Sequence, residues 1–225
     1  MIFDEHTSVG DVVTERPSTS RLFSRLGIDF CCGGKKSLAN ACAERGLDVA
    51  AVLTELAVAV PEPRSNWADA PLAAVCDHIE RTHHTFTVAE LARLSGLLEK
   101  VARVHGAKHP NMVELNSVFL PFAEELRLHM TKEERILFPA IRALAQGEPS
   151  RAIQAPVSVM MREHDGAGAL LRQMRSIALD YVPPEGACGT FRAALGGLVD
   201  LETDLLLHVH LENNVLFPRA LAITA

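Results

Sequence analysis

Four long segments of the chain carry apolar residues three and four positions apart, the spacing of one face of an α-helix. They cover residues 72–104, 113–145, 156–180 and 189–222. The connections between them are rich in glycine and proline, and their lengths suit antiparallel neighbours. No segment alternates apolar and polar residues as a half-buried strand does. The pattern therefore predicts an all-α fold built on an up-down four-helix bundle.

The N-terminal part of the chain shows shorter helical segments with clear stop signals. Two of them run into glycines, Gly27 and Gly46, which commonly follow the last turn of a helix. Ser18 and Asp48 stand where helix N-caps are expected. We therefore predict several short helices in this part of the chain.

A proline-rich stretch divides the sequence into two predicted domains. "PEPRSNWADAP" contains three prolines and has no apolar period, which is typical of a linker. We expect a small helical domain over residues 1–58, a linker over 59–71 and the four-helix bundle over 72–225.

Composition and charge narrow the function classes. Apolar residues make up 48% of the chain and aromatic residues only 5%, a mixture that favours helices over a β-sandwich. The net charge is −6 and there is no basic tract, so we do not expect nucleic acid as a partner. No apolar stretch reaches the roughly 18 residues that a membrane span needs, and no signal peptide is recognisable. The five cysteines do not form a secreted disulfide framework, so we expect a cytoplasmic protein.

One motif occurs twice, in the second and fourth long segments. "HMTKEERILFP" and "HVHLENNVLFP" share the skeleton His-x3-Glu-x3-Leu-Phe-Pro. Positions i and i+4 lie on one face of a helix, so His129 faces with Glu133 and His208 with Glu212. Burying an ionised carboxylate without a partner costs roughly several kcal/mol, and this chain would do so at two matching positions. A single copy is typical of a surface pair, whereas two matching copies on apolar faces indicate a cation between the helices.

The other two long segments supply further histidines. His164 lies on the apolar face of the third segment, and the first segment offers His78, His83 and His84. His84 precedes His129 of the first copy by 45 residues, and His164 precedes His208 of the second copy by 44 residues. Periodicity alone does not choose between His83 and His84, because the helix face that carries His83 is at least as apolar as the face that carries His84.

Four imidazoles and two carboxylates exceed the ligands of one ordinary metal site and suit two ions. With both glutamates bridging and an oxo or hydroxo bridge, each ion has five ligands and one open position. Nitrogen and oxygen donors without thiolate favour iron or manganese, with zinc possible. Carboxylate-bridged helical bundles are a known setting for di-iron.

Two acidic residues extend the repeat upstream. Glu125 precedes His129 by four residues, and Asp204 precedes His208 by four. Metal-bound histidines often donate their second N–H to a carboxylate, so both are candidates for this role or for an access channel; the alternative is a solvated helix face. We expect the remaining histidines to face solvent (His6, His109, His210) or to lie in the core or a channel (His78, His105).

Cys31 and Cys32 are adjacent, in a turn built on two glycines. Nearby Lys35 and Lys36 are expected to lower the thiol pKa and so favour redox cycling or transient iron binding. The alternative is a pair of partly buried thiols that act as small apolar groups. We expect the other three cysteines to be structural or incidental: Cys42, Cys76 and Cys188.

Four stretches together resemble a known family: "DFCCGGKKSLANAC", "HMTKEERILFP", "MMREHD" and "HVHLENNVLFPRAL". Residues 72–225 resemble the hemerythrin-like di-iron domain. The whole chain resembles the iron–sulfur cluster repair di-iron proteins, which include a nitric-oxide-binding branch found with denitrification genes. The resemblance favours His84 over His83. It implies four terminal iron ligands and two bridges: His84, His129, His164 and His208, with Glu133 and Glu212.

The resemblance implies a function in repairing iron–sulfur clusters damaged by nitrosative or oxidative stress. Nitric oxide would bind at two bridged iron ions, and supply of iron from the centre to the cluster is a further expectation. Two alternatives remain open: an NO scavenger or reductase that forms nitrous oxide, and a non-enzymatic NO or O2 sensor. The expected partners are NO or O2, damaged iron–sulfur proteins and, in a homodimer, a second copy of the chain.

Overall fold

A computed structural model describes residues 3–58, 67–147 and 153–223. Within these ranges the chain is mostly helical and contains no strand. The predicted all-α class is confirmed. Part of the predicted linker, residues 59–66, and part of the connection before the third long helix, residues 148–152, lie outside the described residues.

Four short helices form the N-terminal part. Two of them begin at serines whose hydroxyl groups accept a backbone hydrogen bond, from Asp11 to Ser8 and from Asn40 to Ser37. The ranges are α1 Val9–Glu15, α2 Thr19–Leu26, α3 Leu38–Glu44 and α4 Val49–Val58.

The predicted caps of these short helices are mostly confirmed. Asp48 accepts a hydrogen bond from the backbone of Ala50, and α2 ends at Gly27 with a φ of +69°. Ser18 is an exception, because its side chain makes no capping hydrogen bond. Gly46, with a φ of +66°, follows the end of α3 as expected.

The four long segments are present close to their predicted bounds. The third ends at Ile177 rather than at residue 180, because three consecutive residues from Leu179 adopt positive φ values between 51° and 59° and turn the chain. The remaining helices are α5 Leu72–His78, α6 Thr85–His105, α7 Pro110–Lys132, α8 Phe138–Ala145, α9 Gln154–Ile177, α10 Gly189–His210 and α11 Phe217–Ile223.

Three of the long segments contain a π-helical stretch that the sequence pattern does not predict. These stretches are π1 Ile79–His84, π2 Glu133–Leu137 and π3 Leu211–Leu216. In π2 and π3 the carbonyl of the motif glutamate accepts a hydrogen bond from the residue five positions later. The following prolines, Pro139 and Pro218, lack an N–H and crowd the carbonyl four residues earlier, which favours a wider turn.

The chain divides into two compact units. One consists of Met1–Ile79, Ala140–Gln154 and Leu206–Ala225, and its core contains Phe23, Phe30 and Phe217. The other consists of Glu80–Pro139 and Ala155–Leu205, and its core contains leucines and phenylalanines of α6, α7 and α10. The predicted domain boundaries at residues 58 and 72 stay a prediction. Among the described residues, no helix is both long and apolar enough to span a bilayer.

Candidate metal centre

The carboxylate of Glu133 is surrounded by three imidazoles. His129 Nε2 is 3.0 Å from Glu133 Oε1, and His84 Nε2 is 3.4 Å from Oε2. His164 Nε2 lies 3.8 Å from Oε1 and 3.0 Å from the Nε2 of His129. All four side chains are buried, Glu133 completely. Four of the six predicted ligands are therefore close together.

Two further carboxylates orient these imidazoles. His84 Nδ1 is 2.8 Å from Glu134 Oε1, and His129 Nδ1 is 2.8 Å from Glu163 Oε2. Because an ionised carboxylate only accepts hydrogen bonds, each Nδ1 donates its proton. Each Nε2 then keeps its lone pair, the form in which an imidazole binds a metal ion.

The chemistry of this donor set fits a cation. Neither oxygen of Glu133 accepts a hydrogen bond of normal geometry from the residues that the structure describes. Unprotonated Nε2 atoms at His84 and His129 instead direct lone pairs towards a buried negative group, which is unfavourable unless a positive charge is shared. The donors are nitrogen and oxygen, the set that suits iron, manganese or zinc.

The surroundings of Glu133 act on its pKa in opposite directions. Burial raises the pKa, whereas close polar contacts with His129, His164 and His84 lower it, as does positive charge at His129, which a bound cation would supply when the imidazole is neutral. The lowering prevails, and the pKa lies well below the 4.5 that is usual for glutamate. Glu133 is therefore ionised at neutral pH, as a bridging metal ligand must be.

The second copy of the motif also pairs as predicted. His208 Nε2 is 3.2 Å from Glu212 Oε1, and both side chains are fully buried. Within the second unit, one ligand atom each of His129, Glu133 and His164 lies within 4.8 Å of the other two.

The adjacent histidines of the first long segment make different contacts, which favours His84 as the ligand. His84 approaches Glu133, whereas His83 Nδ1 lies 3.0 Å from Asp204 Oδ1. Asp204 thus contacts a histidine other than the one that its spacing predicted. Glu125 is exposed, and the carboxylate at His129 Nδ1 is Glu163 instead. Glu125 is therefore not the group that orients His129, and a channel role for it stays a prediction.

Sequence reasoning missed Glu134 and Glu163, the carboxylates that orient His84 and His129. Each is adjacent in sequence to a predicted ligand, in "KEER" and "REHD". This adjacency was the available signal. Each carboxylate, however, acts on a histidine of another helix, so the i, i+4 spacing within one helix does not find it.

The vicinal cysteines are held in a turn by Asp29. Asp29 Oδ1 accepts hydrogen bonds from the backbone N–H groups of Cys31, at 3.1 Å, and Cys32, at 2.9 Å. The same oxygen is 3.3 Å from Cys31 Sγ, and the two sulfur atoms are 3.8 Å apart. Asp29, Cys31 and Cys32 form a third group of converging potential metal ligands.

The predicted lowering of the thiol pKa by the neighbouring lysines is wrong for Cys31. The hydrogen bond with Cys32, burial and the charge of Asp29 raise the pKa of Cys31 well above its usual value. Lys36 is 2.7 Å from Glu44, with which it forms an ion pair. Lys35 is exposed.

His210 is also corrected, because it is buried rather than solvent-facing. Its Nε2 lies 3.0 Å from Thr14 Oγ1, and its Nδ1 lies 3.3 Å from the carbonyl oxygen of Phe30. Burial lowers the pKa of His210 to about 4, so the imidazole is neutral. The N-terminal helices, whose packing the sequence pattern does not predict, cover this face of α10.

The remaining histidines and cysteines occupy ordinary positions. His6 is exposed as expected, whereas the half-buried His109 packs edge-on against Phe191. His78 stacks on Trp67. Cys42 and Cys76 are buried, and Cys188 is exposed, with its sulfur 3.4 Å from His105 Nε2.

The comparisons with known proteins agree first on a class. Residues 77–220 match the hemerythrin HHE cation binding domain. Residues 5–59 match ScdA_N, described as a domain of unknown function (DUF542). The buried histidines and glutamates described above all lie within residues 77–220, the part of the chain that matches the cation binding domain.

Similarity to individual proteins extends over nearly the whole chain. The iron-sulfur cluster repair protein YtfE of Escherichia coli O17:K52:H18 (strain UMN026 / ExPEC) is 42% identical over 215 residues, which cover 95% of this chain and 96% of that protein. YtfE of Shigella boydii serotype 4 (strain Sb227) is similar to the same extent. The chain belongs to the hemerythrin-like family of iron-sulfur cluster repair proteins.

Proposed function

We propose that this protein is a di-iron protein that repairs iron–sulfur clusters damaged by nitrosative or oxidative stress. The observation that carries the proposal is the buried cluster of three imidazoles around the ionised Glu133, from His84, His129 and His164. The second copy of the motif forms a buried pair of the same kind, His208 with Glu212. The relatives support it, because two proteins similar over 95% of the chain are named for iron–sulfur cluster repair.

The proposed ligand set combines the two copies of the motif with His84 and His164, as the family resemblance implies. Glu133 and Glu212 would hold two ions as shared carboxylate ligands, together with an oxo or hydroxo group. Iron bound there would supply an open coordination position for a small ligand such as NO or O2. The four imidazoles are the terminal ligands: His84, His129, His164 and His208.

The surroundings of the site support a role in which iron is released as well as bound. The ligands include no thiolate, so they do not hold iron as tightly as a cysteine site does. The carboxylates that orient His84 and His129 are only partly enclosed, since the side chains of Glu134 and Glu163 are 45% and 35% exposed. Water can replace either carboxylate, so neither imidazole is held on its Nδ1 side by a fully buried partner.

The test is reactivation of a damaged cluster. The chain, purified without oxygen, should carry about two iron ions per molecule. It should restore activity to a dehydratase whose cluster has been treated with NO, and it should lose iron as it does so. The Glu133→Gln variant should lose both iron and repair activity, whereas the Glu125→Gln variant on the exposed side of α7 should keep both. Full repair by iron-free Glu133→Gln protein would contradict the proposal.

The same preparation separates the alternative functions. An NO reductase would form nitrous oxide beyond one equivalent per pair of ions when reductant is supplied. A sensor would bind NO tightly and show neither repair nor turnover. Cytoplasmic location, damaged iron–sulfur proteins as targets and a homodimer belong to the same proposal, and size-exclusion chromatography with light scattering tests the last.

A further inference from the structure

The turn that carries the vicinal cysteines brings three potential metal ligands together, apart from the His/Glu groups. The side chains are those of Asp29, Cys31 and Cys32. Cys31 is buried, whereas Cys32 and Asp29 are half-buried, so a solvated ion can reach the ligands from the side of Cys32 and Asp29.

The distances between these donor atoms match those around one tetrahedral ion. Two thiolates at about 2.3 Å from a common ion, at a tetrahedral angle, have sulfur atoms about 3.8 Å apart. The observed distance between Cys31 Sγ and Cys32 Sγ is 3.8 Å. A carboxylate oxygen at about 2.0 Å from the same ion would lie about 3.5 Å from each sulfur. Asp29 Oδ1 is 3.3 Å from Cys31 Sγ.

The backbone of the turn leaves little freedom for these donors to move apart. Both cysteine N–H groups are fixed by Asp29 Oδ1. A Cβ atom at Gly33 would lie 2.8 Å from the carbonyl oxygen of Asp29, and one at Gly34 would lie 2.2 Å from Asn214 Oδ1. Only glycine fits at either position, so the turn is closely packed on both sides and the ligands are preorganised.

Two asparagines of π3 hold the other side of the turn. Asn214 Nδ2 donates to the carbonyl oxygen of Cys31 at 2.9 Å. Asn213 Nδ2 donates to the same oxygen at 3.4 Å and lies 3.9 Å from Cys32 Sγ. An amide donor directed at a sulfur favours the thiolate over the thiol. These asparagines directly follow Glu212, so one short segment carries both a proposed iron ligand and the support of the cysteine turn.

We propose that Asp29, Cys31 and Cys32 bind one divalent transition-metal ion, with a fourth position open to solvent or to an incoming ligand. Binding replaces the two thiol protons, which leave to solvent as the two metal–sulfur bonds form, and no electron is transferred. Under the proposed repair function, on which this part rests, the ion is ferrous iron on its way to or from a damaged cluster.

Cadmium is the probe for this site, because its bond to a thiolate has a charge-transfer absorption in the ultraviolet that nitrogen and oxygen ligands lack. Titration of the iron-loaded, reduced full chain should give this band with a stoichiometry of one. Cys31→Ser and Cys32→Ser should each abolish it. Asp29→Asn keeps an oxygen that accepts the two backbone hydrogen bonds but removes the charge, and should weaken cadmium binding at least about tenfold. Ferrous iron should compete for the same site.

The matched control is Cys188→Ser, which removes an exposed thiol elsewhere and should leave the band unchanged. The absence of any band in the reduced full chain would overturn the site. So would a band that survives in Cys31→Ser or Cys32→Ser, or one that is lost in Cys188→Ser. An unchanged cadmium affinity in Asp29→Asn would also overturn it. Iron content and repair activity measured on the same samples report on the His/Glu groups. Failure of the cysteine site is therefore distinguishable from failure of the proposed function.

Discussion

Replacing Glu163 by alanine tests how the imidazole of His129 is prepared for metal binding. The structure places Glu163 Oε2 2.8 Å from His129 Nδ1, and Lys132 forms an ion pair with the same carboxylate. Burial alone would raise the pKa of Glu163, but Lys132 and His129 lower it, so this group is ionised at neutral pH. Without it, His129 is no longer fixed in the tautomer that presents Nε2.

The size of the effect follows from the partial exposure of Glu163. Loss of a carboxylate that orients a metal-bound histidine typically costs about 10- to 100-fold in affinity. Since the Glu163 side chain is 35% exposed, water can replace it, and we expect the lower end of that range, about tenfold or 1.4 kcal/mol.

Competition for ferrous iron with a chromophoric chelator measures this affinity. Glu125→Ala is the matched control, because Glu125 is the group that helical spacing alone assigns to His129, whereas it is exposed in the structure. We expect unchanged affinity in this variant. The reasoning would be refuted by an unchanged affinity in Glu163→Ala, or by an equal loss in the two variants.

Three other predictions follow from the geometry. His84→Ala should lose at least half of the bound iron, whereas His83→Ala should keep it, as measured by metal analysis; the reverse result would assign the ligand to His83. In metal-free protein at neutral pH, the exposed Cys188, whose pKa is lowered by backbone hydrogen bonds at the start of α10, should be alkylated faster than Cys31, whose pKa is raised. Peptide mass spectrometry checks the order, which equal rates would contradict. Gly34→Ala should destabilise the protein by about 1–3 kcal/mol in denaturant unfolding, because the added Cβ would overlap Asn214, and an unchanged midpoint would show that the turn yields easily.

The sequence by itself determined the helical class, the extent of the long helices and the buried His/Glu pairs within each helix. His129 with Glu133 and His208 with Glu212 follow from a local rule, because the α-helical period fixes which neighbours four residues apart share a face. The family was also within reach of the sequence, since its motifs are local strings of residues.

Tertiary structure decided which groups meet from different helices. Four residues advance a helix by about 400°, which is about 40° more than one full turn. Glu125 is two such steps before Glu133, so it is offset by about 80° from the face that Glu133 occupies. The π-helical stretches, which contain three of the proposed ligands, change the helical phase again. Which carboxylate reaches His129, and which helices cover His210, depends on the packing of elements far apart in sequence, and no periodicity within one segment contains that information.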